Sequence, residues 1–69
     1  MFDRNRLKAQ MVLNGVTAKQ LCEALDIDES TFYRKLKNNG QFTREEIATM
    51  IKVLKIENPS EIFFINELA

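Results

Sequence analysis

Three features of this 69-residue chain predict an all-α, compact five-helix domain. A helix-start signal recurs four times, apolar residues fall at separations of three and four, and no stretch alternates apolar and polar residues over five or more positions. The start signal is a capping side chain followed three positions later by an acidic or amide residue that reaches back to the cap's own amide. Asp3 caps a first helix near residues 3 to 14, in which Leu7 and Met11 share a face. Asn14-Gly15 stops it, because Gly accepts the left-handed backbone that a helix terminus commonly needs. Thr17-Ala18-Lys19-Gln20 opens a second helix near 18 to 25, with Leu21 and Leu25 on one face. Asp26-Ile27-Asp28-Glu29 repeats the signal, and Asp28 is the better cap for a third helix near 29 to 37, which turns Phe32 and Leu36 inward. Asn39-Gly40 stops that helix. Thr43-Arg44-Glu45-Glu46 opens a fourth near 44 to 54, where Ile47, Met50, Ile51 and Leu54 line one face. Asn58-Pro59-Ser60-Glu61 opens a fifth near 59 to 66, with Pro at the first helical position, where its missing amide hydrogen costs nothing. Val16, Ile27, Phe42 and Ile56 lie in the connections and close over the ends of the core. Residues 1–69 carry no repeat, linker or low-complexity segment and read as a single domain.

Composition narrows the class. A chain of this length buries only about 60% of the surface its unfolded form exposes, so it holds one small core. With 45% apolar residues and a formal net charge of zero it is a folded chain, and no apolar run approaches the roughly 20 residues that cross a bilayer. There is no His and a single Cys. Neither a metal site nor a nucleophilic triad can be built from that inventory, so the chain reads as no enzyme, with no cofactor, no metal and no small-molecule substrate. Glu45 and Glu46 read as residues favoured by the dipole of a first helical turn. Cys22 reads as a small buried residue, and with no disulfide and no apolar leader the expected setting is the cytoplasm. A pI near 6.2 lends no support to bulk electrostatic binding of nucleic acid, for which values above about 9 are usual.

The segment Thr17 to Leu36 is the most informative. Its two short helices are joined by Asp26-Ile27-Asp28, too tight a connection for them to lie side by side, so they cross steeply as a helix-turn-helix does. With Asn14-Gly15-Val16-Thr17 ahead of it, Leu21-Cys22, Leu25-x-Ile27 at the turn, Ser30-Thr31-Phe32 opening the second helix, Asn39-Gly40, and Phe42-Thr43-x-x-Glu46-Ile47, the chain resembles the Cro and phage-repressor (XRE-type) helix-turn-helix family. The resemblance covers roughly residues 5 to 57, with the motif at about 17 to 37. Two positions depart from the family pattern: Asp26 stands where Gly is usual, and Ala18 where many relatives carry a phosphate-binding Gln.

The resemblance implies binding of double-stranded DNA and regulation of transcription, most simply repression by covering a palindromic operator in a phage or bacterial promoter, with a homodimer on DNA. In this fold the second motif helix enters the major groove with its N-terminal residues toward base edges. With Phe32 and Leu36 inward, Glu29, Ser30, Tyr33, Arg34 and Lys37 face outward. Arg34 suits bidentate recognition of guanine, Glu29 a cytosine amino group, Ser30 a base or phosphate, and Tyr33 a sugar or thymine methyl. Lys35, Lys37, Asn38, Asn39 and Thr43 are the expected contacts to the DNA backbone, joined by Lys19 and Thr31. The charge is segregated to match: residues 1–22 sum to plus three, 23–29 to minus four, 30–44 to plus four with no acid, and the remainder to minus three. In the tail, Ile62-Phe63-Phe64-Ile65 is too apolar for one face of a short helix. Phe63, Phe64 and Leu68 are therefore the expected dimer contacts. The rival reading is a helix-turn-helix scaffold used as a protein-interaction module, with Asp28 and Glu29 repelling DNA.

Overall fold

The structure, a computed structural model, describes residues 2–63. Among them are four α-helices, α1 (Arg4–Leu13), α2 (Ala18–Leu25), α3 (Glu29–Lys37) and α4 (Arg44–Val53), and a 3-10 turn at Pro59–Glu61. No strand occurs among the described residues. The helix starts are fixed locally. The Asp3 carboxylate accepts the Arg6 amide at 3.1 Å. Thr17 and Thr43 each form a complete capping box, with Gln20 and Glu46 as the reciprocal acceptors. A cap of this kind contributes about 1 kcal/mol. Asp28 occupies the cap position of α3 with extended backbone, but its carboxylate makes no capping hydrogen bond.

All four helices end the same way. One residue turns left-handed, and the amide after it donates to the carbonyl five residues back, which satisfies a carbonyl the helix would otherwise leave open. The left-handed residues are Gly15, Asp26, Asn39 and Lys55. The closing bonds run from Val16 to Met11 (2.9 Å), Ile27 to Cys22 (3.1 Å), Gly40 to Lys35 (2.9 Å) and Ile56 to Ile51 (3.0 Å). At three of these stops the residue carrying the closing amide is apolar and packs on the core: Val16 and Ile27 in part, Ile56 fully. At the fourth it is Gly40, itself left-handed at φ 63°, and the Phe2 ring occupies the space a side chain there would need.

The core gathers Leu7 from α1, Leu21, Cys22 and Leu25 from α2, Phe32 and Leu36 from α3, Met50 from α4 and Leu54 just beyond it. Phe42, Ile56, Ile62 and Phe63 close it from the connections. The α2 helix packs against both α3 and α4. Asn14 ties the ends of α1 and α4, its side-chain amide donating to the carbonyls of Gln10 (2.8 Å) and Leu54 (2.7 Å). A row of aromatic rings runs Phe63, Phe2, Phe42, Phe32, Tyr33 with centroids 5.6 to 6.0 Å apart.

The expected fifth helix is corrected to the single turn Pro59–Glu61 within the described residues. Two local facts account for it. The Asn58 side chain makes no capping bond, and the Ile62 carbonyl accepts the amide of Asp3 at 2.7 Å, joining this segment to the start of the chain. Residues 64–66 of the expected helix lie outside the described residues.

The two glycine stops separate backbone strain from crowding. A Cβ at Gly15 meets nothing within 4 Å, whereas one at Gly40 would collide with the Phe2 ring. Gly15→Ala is expected to cost about 1 kcal/mol for its left-handed backbone, and Gly40→Ala a further 1 to 3 kcal/mol or so from overpacking. Denaturant unfolding of the two variants checks this. Equal losses would show that the Phe2 ring does not rest on Gly40.

Candidate nucleic-acid interface

One side of α3 is turned away from the core. Phe32 and Leu36 are buried, and Glu29, Ser30, Tyr33, Arg34 and Lys37 are all exposed. Tyr33 leans on the Phe32 ring edge-on at 5.6 Å and is half exposed. Among the described residues neither Arg34 nor Lys37 has an ion-pair partner. Thr31 is half-buried at the start of the helix. Asn38 and Asn39 stand exposed in the turn that follows, Asn39 with a φ of 59°. Thr43 is exposed, and its hydroxyl oxygen accepts the Glu46 amide at 3.1 Å. Lys19 is exposed on the first motif helix. The motif turn itself is made by Asp26 at φ 58° and ψ 44°, a conformation Asp adopts more readily than most residues.

Two expected contacts are found elsewhere. The Lys35 ammonium, expected on a phosphate, donates to Glu46 Oε1 at 2.7 Å and sits 5.8 Å from the centre of the Phe42 ring. Position 35 falls three residues after buried Phe32 and directly before buried Leu36, so it borders the packed side of α3 and faces the start of α4. Phe63, expected at a dimer contact, is 6% exposed and packs 5.9 Å from Phe2 within the core. Phe64 and Leu68 lie outside the described residues. Sequence reasoning missed an exposed aliphatic pair, Val12 and Leu13, at 82% and 78% exposure. The available signal was the unbroken run Met11-Val12-Leu13, which one helix face cannot bury whole.

The Cys22 thiol is held above its ordinary value by burial first, then by the Glu29 and Asp28 carboxylates. It therefore stays protonated and behaves as packing. Among the described residues no three His, Cys, Asp or Glu side chains gather as a metal site, and no helix is long and apolar enough to cross a membrane. A family model, the Cro/C1-type HTH DNA-binding domain, matches residues 6–67 of the chain. No curated protein and no solved structure matches it.

Glu46 gives the site a pH signature. Burial pushes its carboxyl upward, but the Lys35 ammonium and the Thr43 amide outweigh that and hold it below its ordinary 4.5. A carboxyl lowered by folding contributes stability that is fully present above its unfolded value and lost as pH falls through the folded one. The midpoint of denaturant unfolding should therefore drop as pH is taken below 4.5, and drop less in Glu46→Gln. Parallel profiles for the two proteins would remove Glu46 from the acid response.

Proposed function

The chain belongs to the Cro/C1-type helix-turn-helix DNA-binding family, and on that premise we propose that it represses transcription by occupying operator DNA in a phage or bacterial promoter. Members of this family bind double-stranded DNA and are not an enzyme class. In the proposed complex α3 lies in the major groove, and Glu29, Ser30, Tyr33 and Arg34 reach base edges. Lys37, Asn38, Asn39 and Thr43 hold the backbone on one side, and Lys19 with Thr31 on the other. The observation that carries this reading is the exposed side of α3, where Arg34 and Lys37 stand without ion-pair partners among the described residues. An unpaired guanidinium keeps all its donors for a planar acceptor such as guanine. Glu29 at the start of the helix is compatible with it, since the helix dipole favours a carboxylate there.

A palindromic operator calls for two copies with recognition helices about 34 Å apart. The proposed homodimer takes Phe64 and Leu68 at its contact. The exposed Val12 and Leu13 offer a second apolar surface for it. That same pair favours a rival reading as a protein-interaction module, in which the uncapped Asp28 carboxylate keeps DNA away. Retention on random duplex at low salt separates the two, because only the DNA-binding reading requires it.

Arg34→Ala is expected to cost about 1 to 3 kcal/mol on the preferred site and to relax the preference at one base pair. Selection of bound sequences from a random duplex pool, repeated with the variant, reads both effects. Equal losses on specific and random duplexes would take base reading away from Arg34. For the dimer, sedimentation of the wild type, Phe64→Ala and Leu13→Glu at high micromolar concentration should show the association weakened in at least one variant. A monomer throughout, with and without operator DNA, would overturn it.

A further inference from the structure

Resting on the DNA-binding reading above, we infer that Glu46 sets how much positive charge α3 presents to DNA: by holding the Lys35 ammonium it withdraws one cation from the phosphate backbone, and with it part of the affinity that is blind to sequence. The pair is the most enclosed of the ion pairs among the described residues. Its side chains are 20% and 12% exposed, against 56% for both Arg6 and Glu61. The ammonium is held from two sides, by Glu46 Oε1 at 2.7 Å and by the face of the Phe42 ring.

The carboxylate is equally fixed. The same Oε1 accepts the Thr43 amide at 2.8 Å, so the oxygen that binds Lys35 is also half of the capping box that starts α4. Glu46 cannot turn away from Lys35 without opening that box. A phosphate approaching α3 therefore meets Lys35 already neutralised by a carboxylate in place, while Arg34 and Lys37 on the same helix remain unpaired. Each phosphate neutralised adds about 0.9 to the slope of log affinity against log salt, and this contribution is the same for every sequence. Withdrawing Lys35 lowers binding to random DNA without touching the side chains that face base edges. Specific binding falls by the same factor, so the ratio of the two is unchanged while base contacts supply a larger share of the affinity that remains.

The test is a salt series on a random-sequence duplex with the wild type, Glu46→Gln, Lys35→Gln, Lys37→Gln and Glu45→Gln. Gln at 46 keeps an oxygen for the Thr43 amide, so the start of α4 is retained while the ion pair is lost. Glu46→Gln is expected to steepen the slope by about one and to bind the random duplex several-fold more tightly at low salt. Lys35→Gln alone is expected to lower the slope by well under half of what Lys37→Gln removes. Glu45→Gln, which deletes an exposed carboxylate next door, should leave the slope near the wild-type value.

The inference is overturned if Lys35→Gln costs as much slope as Lys37→Gln, since Lys35 would then already be on a phosphate. It is equally overturned if Glu45→Gln steepens the slope as much as Glu46→Gln, which would make the gain a general effect of charge. Should Glu46→Gln lose its helical signal, the comparison of Lys35→Gln with Lys37→Gln decides alone. A wild type that fails to bind duplex at low salt overturns the DNA-binding reading and this inference together. A wild type that binds, with variants that follow neither expectation, overturns only the inference.

Discussion

After each helix one residue must turn left-handed so that the next amide can reach the carbonyl five residues back, and the compactness of this chain depends on that turn. It ends the helix within two residues and delivers the following side chain onto the open end of the core, so that Val16, Ile27 and Ile56 are drawn in as the helices stop. Gly15 takes this backbone without strain, and Asp26 and Asn39 take it at modest cost. Lys55, at φ 51°, has neither advantage. A left-handed non-glycine residue costs roughly 1 to 2 kcal/mol, which is offset here by the burial of Ile56, a side chain whose full burial contributes about 1.5 to 3 kcal/mol.

At the stop after α3 the same turn does a different job. Gly40 supplies the closing amide but no side chain, and Phe2 comes from the far end of the sequence to fill the place. Phe2 is held there by its ring neighbours Phe42 and Phe63 and by the backbone bond from Asp3 to Ile62. The turn that carries Asn38 and Asn39 beyond α3 is thus braced by both ends of the described chain. An exposed polar loop with so few apolar side chains of its own would otherwise have little to hold it.

What could be read from the sequence is what neighbours in sequence decide. The boxes at Thr17 and Thr43 were legible because cap and acceptor are three residues apart, and Asp26 stood out because the resemblance puts Gly, a residue at ease in the left-handed region, at its place. The position of Asp28 was legible, but its missing capping bond was not. The outward side of α3 followed from Phe32 and Leu36 alone. Interactions between distant segments escaped. Lys35 looked like one more solvent-facing cation because Glu46 lies eleven residues on and its capping role already explained it. Phe63 reads as a dimer contact because four consecutive apolar residues cannot share one face of a short helix, and Phe2, which packs against it, lies far away in the sequence. The stop at Lys55 has no compositional signal at all, since only the burial of the next residue makes it worthwhile.

A formal net charge of zero, with a pI near 6.2, stands against a DNA-binding reading only if every charge is equally available. The pairs among the described residues show that they are not. Arg6 is shared between Asp3 and Glu61, and Lys35 is committed to Glu46, whereas Arg34 and Lys37 on the exposed side of α3 are left without partners among the described residues. Screening confines the effect of exposed charges to about 8 Å at physiological salt, so a phosphate at α3 responds to those nearby cations far more than to carboxylates elsewhere in the chain. In the proposed complex the exposed cations of α3, rather than the charge of the whole chain, set the salt-dependent part of the affinity. A neutral total is therefore compatible with the proposed reading, in which base contacts at α3 supply the discrimination between sequences.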